Sequence, residues 1–155
     1  GREVNGDKKQ SGILSTHLHS DGNLRNILYC ENNLADPEIT RRIQMEGPEL
    51  FKHAVTNLAN VVIEALEANN LAASDIDWLV PHQANKRIID STAKRLKLDN
   101  DKIVLTIDKH ANTSAASIPL ALNVAVGDGR IKKGDLLLME AMGGGLTWGA
   151  ALMRW

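Results

Sequence analysis

Two short peptides hold side chains that could act on a carbonyl group. Val80-Pro81-His82-Gln83-Ala84-Asn85 presents an imidazole and His110-Ala111-Asn112-Thr113 a carboxamide, each just ahead of a helical pattern. A neutral imidazole and a carboxamide make a pair of hydrogen-bond donors without permanent charge, suited to a carbonyl oxygen that becomes an enolate. Each residue taken singly also has a plain structural reading. His82 could be a satisfied histidine at a helix start, Pro81 a strand terminator, and Asn85 and Asn112 helix caps. A third peptide, Gly143-Gly144-Gly145, follows an apolar run. Three glycines in succession are costly in chain entropy, so they read either as a loose turn or as a close backbone approach to a ligand. In the second case a glycine N–H could complete an oxyanion hole. Leu146-Thr147-Trp148 follows in place of Lys and Ser or Thr opening a helix, which excludes a phosphate loop.

Cys30 is the one cysteine and lies in Leu28-Tyr29-Cys30-Glu31-Asn32. An acidic neighbour and the lack of a glycine-rich helix start argue against a nucleophilic thiol. His17, His19, His53 and His110 share no metal-ligand spacing and read as structural or surface residues.

The elements that must carry these peptides follow from periodicity. Ile13 to His19 reads as a strand, stopped by Asp21-Gly22, and a polar irregular stretch runs on to Gly47. Pro48-Glu49 opens a long helix whose apolar residues recur at helical spacing as far as Asn69-Asn70. Ile76 to Val80 predicts a strand, Asn85 to Leu98 a helix, and the β-branched run Ile103 to Ile107 another strand. A buried helix starts near Ser114 and closes at Gly127-Asp128-Gly129; Leu136 to Met142 and Leu146 to Trp155 are the last strands. Such alternation predicts an α/β fold, a mixed, mainly parallel sheet with helices packed on it. In sheets of this kind ligands sit beyond the carboxyl ends of the strands, where all three unusual peptides fall.

Bulk properties narrow the function classes. The 155 residues suffice for one domain with a real core, and 24% charged with 43% hydrophobic residues is ordinary for a globular chain. A formal net charge of -1 gives no overall pull toward nucleic acid or membrane. No apolar run reaches the roughly 18 residues of a membrane span, and the polar residues 1–11 read as an exposed lead-in at a truncation boundary, with a domain over residues 12–155. A lone cysteine and no signal-peptide core suit a cytoplasmic location.

Three peptides carry a specific resemblance: Leu79-Val80-Pro81-His82-Gln83-Ala84-Asn85, Asn112-Thr113-Ser114-Ala115-Ala116-Ser117-Ile118-Pro119 and Gly143-Gly144-Gly145-Leu146-Thr147-Trp148-Gly149-Ala150-Ala151. They resemble the C-terminal signatures of the β-ketoacyl-acyl-carrier-protein synthase III family, thiolase-fold condensing enzymes, and Ser15 to Gly22 resembles the family's connecting strand. The resemblance extends from Gly12 to the last residue and implies a thiolase-like half. It implies an acyltransferase that starts type II fatty acid synthesis by decarboxylative Claisen condensation of acetyl-CoA with malonyl-acyl carrier protein, without a covalently bound cofactor. In that scheme His82 and Asn112 bind the malonyl thioester carbonyl and stabilise the enolate, and Gly144 supplies a backbone oxyanion donor. Asn85 lies near the pantetheine channel and Met142 beside the acyl pocket. The family's nucleophilic cysteine belongs to an upstream segment, so this polypeptide alone is expected to lack acyl transfer and to need that missing N-terminal half. A homodimer is implied for the full-length protein. Ala111 and Pro48 depart from the family pattern, where glycine and a polar residue are expected.

The helix after His82 is rich in cations: Lys86, Arg87, Lys94, Arg95 and Lys97. Arg87 and Lys94 are seven apart and share a face. A solvated face with Asp90 pairing to both is one reading. The resemblance supplies the other, in which Arg87, with Lys94 and Arg95 nearby, docks the acidic carrier protein. Two rivals stand beside the condensing enzyme of fatty acid synthesis: a related enzyme making polyketide or quinolone products, and a non-catalytic carrier-protein-binding module.

Overall fold

A computed structural model describes residues 11–30 and 42–155. Of the expected lead-in, residues 1–10 lie outside the described residues; Ser11 is exposed and donates its hydroxyl to the Trp155 carbonyl at 3.0 Å. The elements are β1 (Gly12–Ser20), β2 (Leu28–Cys30), β3 (Ile43–Met45), α1 (Gly47–Ala68), β4 (Trp78–Pro81), α2 (Lys86–Leu96), α3 (Ile107–His110), α4 (Ser117–Gly127), β5 (Leu136–Gly143) and β6 (Thr147–Arg154). The main sheet has the order β1-β6-β5-β4.

Strand alternation gives this sheet two different faces. Leu136, Leu138, Ala150 and Leu152 pack against Ala59, Val62, Ala65 and Leu66 of α1 and Ile89, Ala93 and Leu96 of α2. On the other side Leu137 and Val80 pack with Val104, Ile131 and the α4 residues Ala121 and Ala125. The repeating apolar positions of α1 and α2 therefore have the role their spacing predicts. No described helix is long and apolar enough to cross a membrane.

The expected α/β fold with a mixed sheet and packed helices is present, but parallel pairing does not dominate it. β4 pairs parallel with β5, whereas β5–β6 and β1–β6 are antiparallel. The Gly143–Thr147 connection is too short for a crossover, so β6 must return as a hairpin arm, and β1 joins its free edge. The expected strand Ile103 to Ile107 is also corrected. It makes one isolated parallel bridge, Leu79 with Ile103, and Ile107 opens the one-turn helix α3. The cause is Gln83, fully buried, whose amide donates to the Val104 carbonyl at 3.1 Å and whose oxygen accepts from Thr106 N–H at 2.9 Å. A side chain thus takes the backbone groups that a strand neighbour would use. Within the stretch expected to be irregular, β2 and β3 form a short antiparallel ribbon.

Candidate functional site

His82 follows the last residue of β4, and two hydrogen bonds fix it. Its backbone N–H donates to the Glu140 carbonyl of β5 at 2.8 Å. Its ring Nδ1 lies 2.6 Å from Ser117 Oγ, at the first residue of α4. The same hydroxyl oxygen accepts from Gln83 N–H at 3.3 Å. Gln83 also donates to the Pro81 carbonyl at 2.8 Å, so the peptide after β4 is held by its neighbours and not left as a mobile loop. Withdrawal from water pushes the His82 pKa below its ordinary value. The imidazole is therefore neutral at neutral pH.

Asn112 reaches its place by a different route from the expected one. It follows α3, not a strand, through Ala111 at φ 55° and ψ −161°. Its Oδ1 accepts from Ser114 N–H at 3.0 Å, which leaves the Nδ2 hydrogens without a hydrogen-bond partner among the described residues. Capping and donation are thus compatible in one side chain. Asn85 is the N-cap of α2, its Oδ1 accepting from Arg87 N–H at 2.9 Å.

A cavity of about 650 Å³ opens on the α4 side of the sheet, lined by His82, Ser114, Ala115, Ser117, Met142 and Trp148 together with strand residues of β1, β5 and β6. His82 and Met142 meet there. Asn112 and Gly144 are outside its wall, Asn112 two residues before Ser114 and Gly144 next to the lining residue Gly143. Gly144 needs its missing side chain for a reason other than a ligand: a Cβ there would stand 2.9 Å from the Leu28 carbonyl oxygen. Gly145, at φ 143°, occupies a backbone region that side-chain-bearing residues rarely adopt.

The α2 cations are only partly as expected. Asp90 pairs with Lys86 at 2.7 Å, in place of Arg87 and Lys94. Lys86 is four residues earlier on the helix, so its flexible stem reaches the carboxylate directly. Arg87 lies over the Phe51 ring of α1 at 5.4 Å, and Arg95 donates to Thr56 Oγ1 at 3.3 Å. Arg87, Lys94 and Arg95 are exposed and have no carboxylate partner among the described residues.

Sequence reasoning missed two residues of the cavity wall, Ser117 and Glu140. Ser117 stands in the expected helix and in the peptide that carries the resemblance, without a role of its own. Glu140 is 2% exposed, its Oε2 lacks a hydrogen-bond partner among the described residues, and burial raises its pKa to about 8. Its position in the run Leu136-Leu137-Leu138-Met139-Glu140 was the available signal. His17 and His19 clasp Glu64 at 2.9 and 2.6 Å, and His19 stacks on Trp148. Their i, i+2 spacing places both on one strand face, yet Glu64 lies on a distant helix.

Comparison with known proteins bears on the family and the fold. Residues 66–155 match the family described as 3-oxoacyl-[acyl-carrier-protein (ACP)] synthase III C terminal. A β-ketoacyl-[acyl-carrier-protein] synthase III of Rhodospirillum centenum is 62% identical over 144 residues, covering 93% of this chain and 45% of that protein. The crystal structure of a 3-oxoacyl-[acyl-carrier-protein] synthase III from Aquifex aeolicus superposes with a TM-score of 0.88 at 44% identity, over 96% of this chain and 46% of the other. A priming β-ketosynthase from the R1128 polyketide pathway gives 0.83 at 33% identity, over 92% and 45%. The chain spans about half the length of the relatives it matches.

Proposed function

The chain belongs to the 3-oxoacyl-[acyl-carrier-protein] synthase III family, and from that premise we propose that it supplies the enolate-stabilising part of a condensing active site. The whole protein joins acetyl-CoA to malonyl-acyl carrier protein in this reading and releases carbon dioxide. The observation that carries it is the cavity-lining His82, a neutral imidazole anchored through one ring nitrogen and without a hydrogen-bond partner among the described residues at the other.

As the malonyl carboxylate leaves, the electrons of the breaking C–C bond move onto the thioester, and negative charge grows on its carbonyl oxygen. N–H donors from His82 and Asn112 meet that oxygen, stabilising the enolate more than the starting ester. The enolate carbon then attacks an acetyl thioester held on a cysteine of the remaining part of the protein, forming the C–C bond and a tetrahedral oxyanion whose collapse breaks the C–S bond and expels the cysteine thiolate. Gly144 N–H receives the resulting oxyanion, Met142 borders the acyl chain, and Asn85 meets the pantetheine arm. Exposed Arg87, with Lys94 and Arg95, receives the acidic carrier protein. A cytoplasmic homodimer completes the reading.

The test combines this chain with a cysteine-bearing N-terminal half and follows malonyl decarboxylation and condensation. His82→Ala and Asn112→Ala should each lower the decarboxylation rate by about 10²–10³, the usual cost of one oxyanion donor. Activity indifferent to both substitutions would sink these assignments. The polyketide-priming reading shares the His and Asn chemistry; the 62% identity to the Rhodospirillum centenum protein against 33% to the R1128 ketosynthase favours the fatty acid starter.

A further inference from the structure

We infer that Ser117 is a positioning residue that sets the tautomer of His82, holding its one ring proton on Nε2, the nitrogen left to the cavity. The inference rests on the donor role proposed above for His82 and adds the residue that makes the donor available.

The argument is a count of protons. Ser117 Oγ has two neighbours, Gln83 N–H at 3.3 Å and His82 Nδ1 at 2.6 Å. A backbone N–H can only donate, so the oxygen accepts there. The hydroxyl proton then has to go somewhere, and Ser117 is 1% exposed, which removes water as an acceptor. If Nδ1 also carried a proton, the hydroxyl oxygen would accept twice and its own hydrogen would be buried without a partner, an arrangement folded proteins avoid. With Nδ1 bare, the hydroxyl donates to it and every group is satisfied. A neutral imidazole has one N–H, so that proton then sits on Nε2. The 2.6 Å separation suits a short O–H···N contact of this kind.

Two elements enforce the geometry. The His82 backbone is tied to Glu140 of β5, and Ser117 begins α4, whose Ala121 and Ala125 are fully buried in the core beside Val80. The hydroxyl therefore approaches Nδ1 from a rigid mount. Without it, the ring could exchange its proton between the two nitrogens and spend part of its time presenting a lone pair to the cavity. A lone pair facing an enolate oxygen repels where an N–H attracts, so the tautomer decides the sign of the interaction.

The experiment labels the histidines of this chain with nitrogen-15 and records long-range nitrogen–proton correlations at a pH where His82 is neutral. His82→Gln assigns the His82 signals. An unprotonated Nδ1 and a protonated Nε2 are expected; a proton on Nδ1 would overturn the inference. In Ser117→Ala both ring-nitrogen resonances should move toward the averaged positions of an imidazole exchanging tautomers, while Ser117→Thr, which keeps the hydroxyl, should hold them at the parent positions. Unmoved resonances in Ser117→Ala would equally overturn it. The parent and Ser117→Thr spectra decide the matter even if Ser117→Ala fails to fold. No substrate is involved. An Nε2–H ring combined with decarboxylation indifferent to His82→Ala would remove the enolate role and leave the hold of Ser117 intact. A proton on Nδ1 would remove the hold of Ser117 whatever the kinetics.

Discussion

Withdrawing an imidazole from water disfavours its charged form, and at His82 this keeps the ring neutral while linking the site to stability. The folded-state pKa lies below the unfolded one, so the unfolded chain binds more protons as pH falls through that window. Stability attributable to His82 is thus full above about pH 6.5 and declines as the pH drops below it. Urea unfolding of the parent chain and His82→Gln across this range should show the difference narrowing toward acid; a difference independent of pH would refute the linkage. Ala111 is a second residue under tension. At φ 55° and ψ −161° its methyl occupies a region that suits glycine, and such strain is worth about 1–3 kcal/mol. Ala111→Gly relieves it but adds roughly 0.4–1 kcal/mol of unfolded-state freedom. The strain relief is the larger, so Ala111→Gly should raise stability by about 1 kcal/mol, read as a higher denaturant midpoint with unchanged slope. The glycine expected before Asn112 from the family pattern and the backbone angles at Ala111 point to one requirement.

The elements show why some structure was legible in sequence and some was not. α1, α2 and β5 announce themselves because their burial is periodic or continuous over many residues, and periodicity survives without knowledge of the partner. The run Ile103 to Ile107 misleads because β-branched composition reports suitability for a pleated surface, while the backbone partner is decided by Gln83 from another part of the chain. His82 and Asn112 were legible as candidate side chains, but the cavity wall was not: Ser117, Glu140 and Trp148 join His82 there only through the sheet order. β5 carries the clearest consequence. Within β5 the Glu140 carboxyl is buried, its Oε2 without a hydrogen-bond partner among the described residues. With its pKa raised to about 8, the folded chain keeps a proton that the unfolded chain gives up above about 4.5. The contribution is complete below the unfolded value and is lost as pH rises through about 8. By then the loss should reach roughly 3–5 kcal/mol. Glu140→Gln, which mimics the neutral acid, should remove most of this decline and be the more stable form at alkaline pH. Parallel pH profiles for the two chains would contradict the buried neutral carboxyl.

At the scale of the whole molecule, charge is nearly balanced, with 18 Lys and Arg against 19 Asp and Glu. Attraction to an acidic partner must therefore come from a local group of cations whose charges are not consumed internally. Lys86 fails that test because Asp90 neutralises it. Arg87 passes: its guanidinium rests on the Phe51 ring, which orders the side chain without cancelling its charge. Lys94 shares its face, and Arg95 is held by a neutral hydroxyl. Fixed, unpaired cations on a helix surface steer an acidic partner over about one Debye length, roughly 8 Å at physiological salt, and are screened beyond it. Arg87→Glu reverses the best-ordered of these charges and should weaken binding of malonyl-acyl carrier protein about tenfold or more at low salt, with a much smaller difference at high salt. Loss of the Phe51 contact costs only about 0.5–1 kcal/mol at an exposed site, so the fold should survive the change. Titration calorimetry at the two salt concentrations, with His82→Ala alongside, separates docking from chemistry. His82→Ala should bind the carrier as the parent does, since its ring faces the cavity and carries no charge at neutral pH. Equal carrier affinity for Arg87→Glu and the parent at low salt would move the docking surface away from α2.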